Sequence, residues 1–137
     1  ANTKISKILI PKSVGLCDVA TFKNCVNLTS IVFEDGGDVP LYVGGDLWLE
    51  NTQVTILVLP FKTYRIRGYW RRGSNLNTLY VKSTIPPILE HGWGDNPDTC
   101  DLYVPIGCKE VYASATNWGS FRTITEYDFD LNPNNVH

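Results

Sequence analysis

The sequence predicts an α/β repeat solenoid: short parallel strands stack rung on rung, joined by irregular or short-helical return segments and closed by a C-terminal helix. Three observations carry this expectation. A short phrase starting at residues 5, 28, 54 and 76 recurs at spacings of 23, 26 and 22, with a degenerate copy 23 later at Thr99. Self-similarity at such a period marks a solenoid, whose units bury their apolar faces against their neighbours. Within each phrase the first, fourth and sixth residues are apolar, and the last two alternate as residues on one face of a strand do. Near the C-terminus the apolar spacing changes from that of a strand to that of a helix.

The elements follow in order. The first rung is Ile5-Ser6-Lys7-Ile8-Leu9-Ile10-Pro11, with Ile5, Ile8 and Ile10 inward. Its return runs from Ser13 to Cys25, where Asp18 is placed to cap a helical turn carrying Val19, Ala20 and Phe22. The next rungs put Leu28, Ile31 and Phe33, then Val54, Leu57 and Leu59, then Leu76, Leu79 and Val81 in the core. Thr99-Cys100-Asp101-Leu102-Tyr103-Val104-Pro105 makes the fifth. Cys108, Val111, Tyr112, Ala115 and Trp118 then fall on one face of an amphipathic helix, and Gly119 supplies its stop. Phe121-Arg122-Thr123-Ile124 begins a last rung. Residues 1–127 thus read as the solenoid and 128–137 as a loose polar tail.

Composition sets bounds on function. With 137 residues, 43% of them apolar and 19% charged, there is room for one folded domain. A net charge of −2 gives no general attraction to nucleic acid, and no apolar run reaches the ~20 residues that a membrane-spanning helix needs. The chain has no Met, even at its first position, and is expected to be a processed or trimmed piece whose export signal is gone. Cys17, Cys25, Cys100 and Cys108 lack the spacing of a zinc site. Buried thiols are the expectation, above all for Cys25, while spacing leaves a Cys100–Cys108 disulfide open.

Two stretches resemble a known family. Ile8-Leu9-Ile10-Pro11-Lys12-Ser13-Val14, followed by Ala20-Thr21-Phe22-Lys23-Asn24-Cys25-Val26-Asn27-Leu28, is similar to the repeat of BspA-like leucine-rich repeat proteins, with Thr21 as an insertion. Leu102 to Tyr112, with Asn117-Trp118-Gly119-Ser120-Phe121 and Ile124 to Tyr127, resembles that family's terminal unit. Residues 34–53 and 60–75 keep the period but lose the signature. The resemblance implies a leucine-rich repeat solenoid with a C-terminal capping helix. It also implies a secreted or surface-exposed bacterial protein, its signal peptide removed, that adheres to host matrix or to other cells.

The residues themselves offer two binding surfaces. Leu9, Val32, Val58, Tyr80 and Tyr103 lie between the inward positions and should stack into an apolar stripe on the outer face, a contact surface for a protein partner. The alternative is the segment 61–73, where Tyr64, Arg65, Arg67, Tyr69, Trp70, Arg71 and Arg72 mix cations with aromatics. Six of the twelve basic residues fall between Glu50 and Glu90, where no acidic residue occurs, as a glycan or polyanion site would require. Shielded strand residues and a solvated loop are the plainer readings of the two.

His91, Asp95, Asp98 and Asp101 could offer oxygen ligands to Ca²⁺, but the Gly/Asn/Pro-rich loop around them reads as a surface turn. No nucleophile elbow, phosphate-binding glycine loop or paired metal clip is present, so neither catalysis nor a cofactor is expected. The N-terminal rung has no visible cap, which leaves an edge open to self-association.

Overall fold

A computed structural model of the protein describes residues 4–18, 22, 24–44, 49–67, 73–90, 93 and 97–130. The recurring phrases form a six-stranded parallel sheet in the order β1 (Lys7–Ile10), β3 (Ser30–Phe33), β5 (Ile56–Leu59), β7 (Thr78–Val81), β9 (Asp101–Pro105) and β10 (Thr123–Tyr127). The register follows the repeat: Leu9 faces Val32, Val32 faces Val58, Val58 faces Tyr80, and Tyr80 faces Tyr103. Leu28, Ile31, Phe33, Val54, Leu57, Leu59, Leu76, Leu79 and Val81 are all buried, as their phrase positions require.

The returns differ from the expectation of irregular or helical segments. Each of the first four carries a short strand, and together β2 (Leu16–Asp18), β4 (Leu41–Gly44), β6 (Thr63–Arg67) and β8 (Ile88–Glu90) form a second parallel sheet. The chain is therefore a parallel β-solenoid of about four two-stranded turns, with little helix. Asp18 ends a strand; Val19 and Ala20 of the helical turn expected after it lie outside the described residues, and Phe22 lies in a 3-10 turn. The second sheet forms because alternate residues of the returns are apolar enough to be buried: Cys17, Leu41, Val43, Ile66 and Leu89 face the phrase residues across the core.

One corner repeats between turns. Asn24 and Asn51 adopt left-handed backbone (φ 64° and 61°), as does Gly73 (φ 67°), so the chain turns in the same way before successive phrases. The Asn51 side-chain amide donates to Asn24 Oδ1 at 2.6 Å, tying one corner to the next.

The C-terminal end of the core is closed by aromatic rings. Helix α1 (Lys109–Ser114) is one and a half turns long, shorter than the spacing suggested. Tyr112 and Trp118 are fully buried, while Val111, expected on the same inward face, is exposed. The Tyr112 hydroxyl donates to the Ser83 carbonyl at 2.7 Å, and Trp118 Nε1 to the Pro87 carbonyl at 2.9 Å. Burial pushes the Tyr112 phenol well above its ordinary pKa, with the Cys108 charge adding to it. Trp93 packs edge-on against Trp118 and Phe121, each at 5.0 Å between ring centroids, although its Gly-rich surroundings read as a surface turn. All four cysteines are buried free thiols, so Cys100 and Cys108 are not bridged. No helix among the described residues is long and apolar enough to cross a membrane.

Candidate binding surface

The outer column of the first sheet is in register but is not an open stripe. Val58 is only 7% exposed, whereas Leu9 at the N-terminal end is 57% exposed. Tyr80 and Tyr103 stack at 4.5 Å between centroids, and Tyr127 meets them edge-on at 5.3 Å and 6.0 Å. Phe129, placed by its sequence in the polar tail, lies edge-on to Tyr80 at 6.2 Å and to Tyr127 at 5.1 Å. The Lys82 ammonium sits 5.8 Å from the Phe129 ring and pairs with Asp35. Tyr80 is thus half-buried, and its phenol pKa is raised, first by desolvation and then by the neighbouring Tyr103 and Tyr127. Phe129 covers Tyr80 from within the chain and Val58 is buried, so the column offers a partner less area than the spacing promised.

The basic-aromatic segment divides. Tyr69, Trp70, Arg71 and Arg72 lie outside the described residues. Tyr64, Arg65 and Arg67 belong to β6, and a register shift between Leu41 and Tyr42 leaves Tyr64 bulged from the ladder and exposed. Arg65 and Arg67 are not free cations for a polyanion. β6 and β8 run in parallel register, with Arg67 opposite Glu90, and the Glu90 carboxylate pairs with Arg65 and lies 4.0 Å from Arg67 Nε. The Tyr42 hydroxyl donates to the same carboxylate at 3.1 Å, and the Arg65 guanidinium lies 5.3 Å from the Tyr42 ring. Desolvation pushes the Glu90 carboxyl up, but the hydrogen bonds from Arg65 and Tyr42 and the two arginine charges outweigh it and hold its pKa below the ordinary value. The other described cations of this interval, Lys62 and Lys82, are engaged by the Lys12 carbonyl and by Asp35.

Asp101 is likewise committed. Its carboxylate takes two hydrogen bonds from Arg122, at 2.9 and 2.8 Å, and one from the Thr123 hydroxyl at 2.8 Å, which lower its pKa to about 2. It is therefore directed at the last rung and not at the 91–98 loop, of which His91 and Asp95 lie outside the described residues. No group of three His, Cys, Asp or Glu placed to hold a metal occurs among the described residues.

A surface that the sequence reading missed lies where the chain passes from the first sheet to the second. Here an open groove of about 640 Å³ is lined by residues 37, 38, 40, 61–64, 83–86 and 88 from three successive turns. Its walls are apolar and unusually exposed: Ile85 is 78% exposed, Phe61 67% and Ile88 60%. Tyr64, Pro40 and Pro86 add to them, and Asp38, Lys62 and Thr84 also line the groove. The floor is fixed, because the Ser83 hydroxyl donates to the Thr63 carbonyl at 2.8 Å and the Ser83 carbonyl accepts from Tyr112. Beside it the Thr63 hydroxyl is buried with no hydrogen-bond partner. Gly37 keeps one rim low: at φ 76°, a Cβ there would lie 2.7 Å from the Lys12 carbonyl. A volume of this size accommodates one or two bulky side chains of a partner.

No protein-family model matches the chain. A comparison with curated proteins likewise gives no match.

Proposed function

We propose that this chain is a non-catalytic repeat module that binds a protein partner through the groove between its two sheets. The observation that carries this reading is the set of large apolar side chains, Phe61, Ile85 and Ile88, held far out of the core on two successive turns. Contiguous exposed apolar area around a concavity is characteristic of contact sites, and scattered single residues are not. Most of the groove's lining surface is apolar, and Arg65 and Arg67 already face Glu90. Protein is therefore favoured over glycan or polyanion. A solenoid suits the role because its surface is ordered before binding and little entropy is lost there.

The motif resemblance supports reading the solenoid as a BspA-like leucine-rich repeat array with α1 as part of a terminal cap. It supports a secreted or cell-surface location and a role in adhesion. Retention of the chain on arrays of purified matrix proteins and of glycans tests the class of partner. Retention on proteins that persists at high salt is expected. Retention on glycans alone, lost with added salt, would replace this reading with the polyanion one.

A further inference from the structure

We propose that the groove takes one amphipathic α-helix of the partner, lying along the solenoid axis with a basic residue beside Asp38. This rests on the groove as the contact site and adds what fills it. The lining comes from three successive turns, with Asp38 and Pro40 on one, Phe61 and Tyr64 on the next, and Ile85 and Ile88 on the third.

An extended segment would find little free backbone here. β6 is bonded to β4 on one side and to β8 on the other. The Phe61 and Thr63 carbonyls accept from the Ser83 hydroxyl at 3.2 Å and 2.8 Å, and the Lys62 carbonyl accepts from the Leu41 N–H at 2.9 Å. β8 ends its sheet, but its flank is closed. Trp118 Nε1 donates to the Pro87 carbonyl at 2.9 Å, and the Asn117 side-chain amide to the Leu89 carbonyl at 3.4 Å. A strand added at the groove has no ladder to join, and its buried amides would go unpaired. A helix arrives with its own amides paired.

Spacing favours a helix for an independent reason. Neighbouring turns of a parallel ladder lie ~4.8 Å apart, so three turns span ~9.6 Å. On a helix, i and i+3 are ~4.5 Å apart along the axis and i and i+7 ~10.5 Å, so one apolar side chain falls to each turn. Same-face residues of a strand recur every ~6.8 Å and fall out of step. Those of a polyproline helix recur every ~9.3 Å and skip a turn.

Charge sets the flank. Asp38 is exposed and, among the described residues, makes no hydrogen bond or ion pair. Lys62, the other charged residue of the lining, is engaged by the Lys12 carbonyl. The neighbouring acids are also taken: Glu34 accepts from the Lys12 N–H at 3.0 Å, and Asp35 pairs with Lys82. The Lys12 side chain passes by Gly36 without pairing with Asp38. A lysine or arginine one turn beyond the partner's apolar face would answer this carboxylate.

The probes are two phage-displayed peptide libraries of equal length and diversity, one on a helix-forming alanine–glutamine scaffold and one flexible. Both are selected on the wild-type chain and counter-selected on Ile85→Asp. We expect the clones lost on Ile85→Asp to come from the helical library, apolar at i, i+3 and i+7 with a basic residue one turn beyond. A selected helix, made as a soluble peptide, should bind about tenfold or more weakly when a central residue of its outer face becomes proline. Selection on Asp38→Lys should replace the basic flank by an acidic one. Asp38 is exposed, so this variant decides if Ile85→Asp fails to fold. Ile85-sensitive clones that come only from the flexible library, or a flank indifferent to Asp38→Lys, would overturn the proposal and leave the groove as the contact site. Absence of Ile85-sensitive clones from both libraries would overturn the groove reading as well.

Discussion

Truncating Leu79 is the sharpest test of how the turns hold together. Leu79 is fully buried on the middle of β7 and lies in register between Leu57 and Leu102, which are equally buried. Leu79→Ala removes three carbons at about 0.8 kcal/mol each, or about 2.4 kcal/mol of lost transfer energy. The neighbours cannot close the gap easily, because each is pinned by its own backbone ladder, so a residual cavity adds about 1 kcal/mol. The expected loss is about 3–4 kcal/mol, a large part of the stability of a domain of this size. Leu9→Ala, on the outer face of β1, should cost under about 0.5 kcal/mol. Urea denaturation followed by far-ultraviolet circular dichroism measures both. Leu57→Ala combined with Leu79→Ala should deviate from additivity by about 0.5 kcal/mol or more, because adjacent rungs share one cavity. Equal costs for Leu79→Ala and Leu9→Ala would refute the stacked core.

Three further outcomes follow from individual contacts. Tyr112→Phe should cost about 1 kcal/mol in the same assay, because it leaves the buried Ser83 carbonyl without its donor. Asp101 has a folded pKa of about 2, below its ordinary value of 3.8, so its contribution is fully present above the latter and lost as pH falls through the former. Arg122→Ala should therefore destabilise the chain slightly at neutral pH, and that cost should shrink as the pH falls to about 2. Cys25→Ser should destabilise the chain by about 1–2 kcal/mol, and native Cys25 should react slowly with thiol reagents because it is buried.

The phrase strands were legible because their alternation repeats at a nearly fixed interval, and each inward position from Leu28 to Val81 is buried as the pattern requires. The second sheet was not. Leu41–Gly44 and Thr63–Arg67 do alternate, but Gly, Thr and Arg dilute the signal, and each segment is too short to stand out without its neighbours in register. The role of Glu90 depends on that register: sequence shows a long interval free of acids, and only the β6–β8 pairing brings its closing residue back onto Arg65 and Arg67. The groove was hidden for a similar reason. Phe61, Ile85 and Ile88 follow the phrases at positions with no common spacing, and only the corner between the sheets gathers them. The outer column was read correctly in register and too generously in area, because no local pattern reveals that Phe129 folds back onto Tyr80.

The most direct test of the groove as a protein contact site is the affinity of Ile85→Asp, compared with wild type and Tyr80→Ala, for the matrix protein that retains the chain most strongly. Ile85 is exposed enough for the substitution to leave the fold intact, which a matched thermal melt checks. A charge placed against the partner's apolar surface should weaken binding by about 2 kcal/mol or more, roughly thirtyfold, at both low and high salt. Tyr80→Ala should change binding by less than about 0.5 kcal/mol, because its ring is already packed among Tyr103, Tyr127 and Phe129. Unchanged affinity for Ile85→Asp, with a loss for Tyr80→Ala, would contradict the account and return the contact site to the outer face of the first sheet.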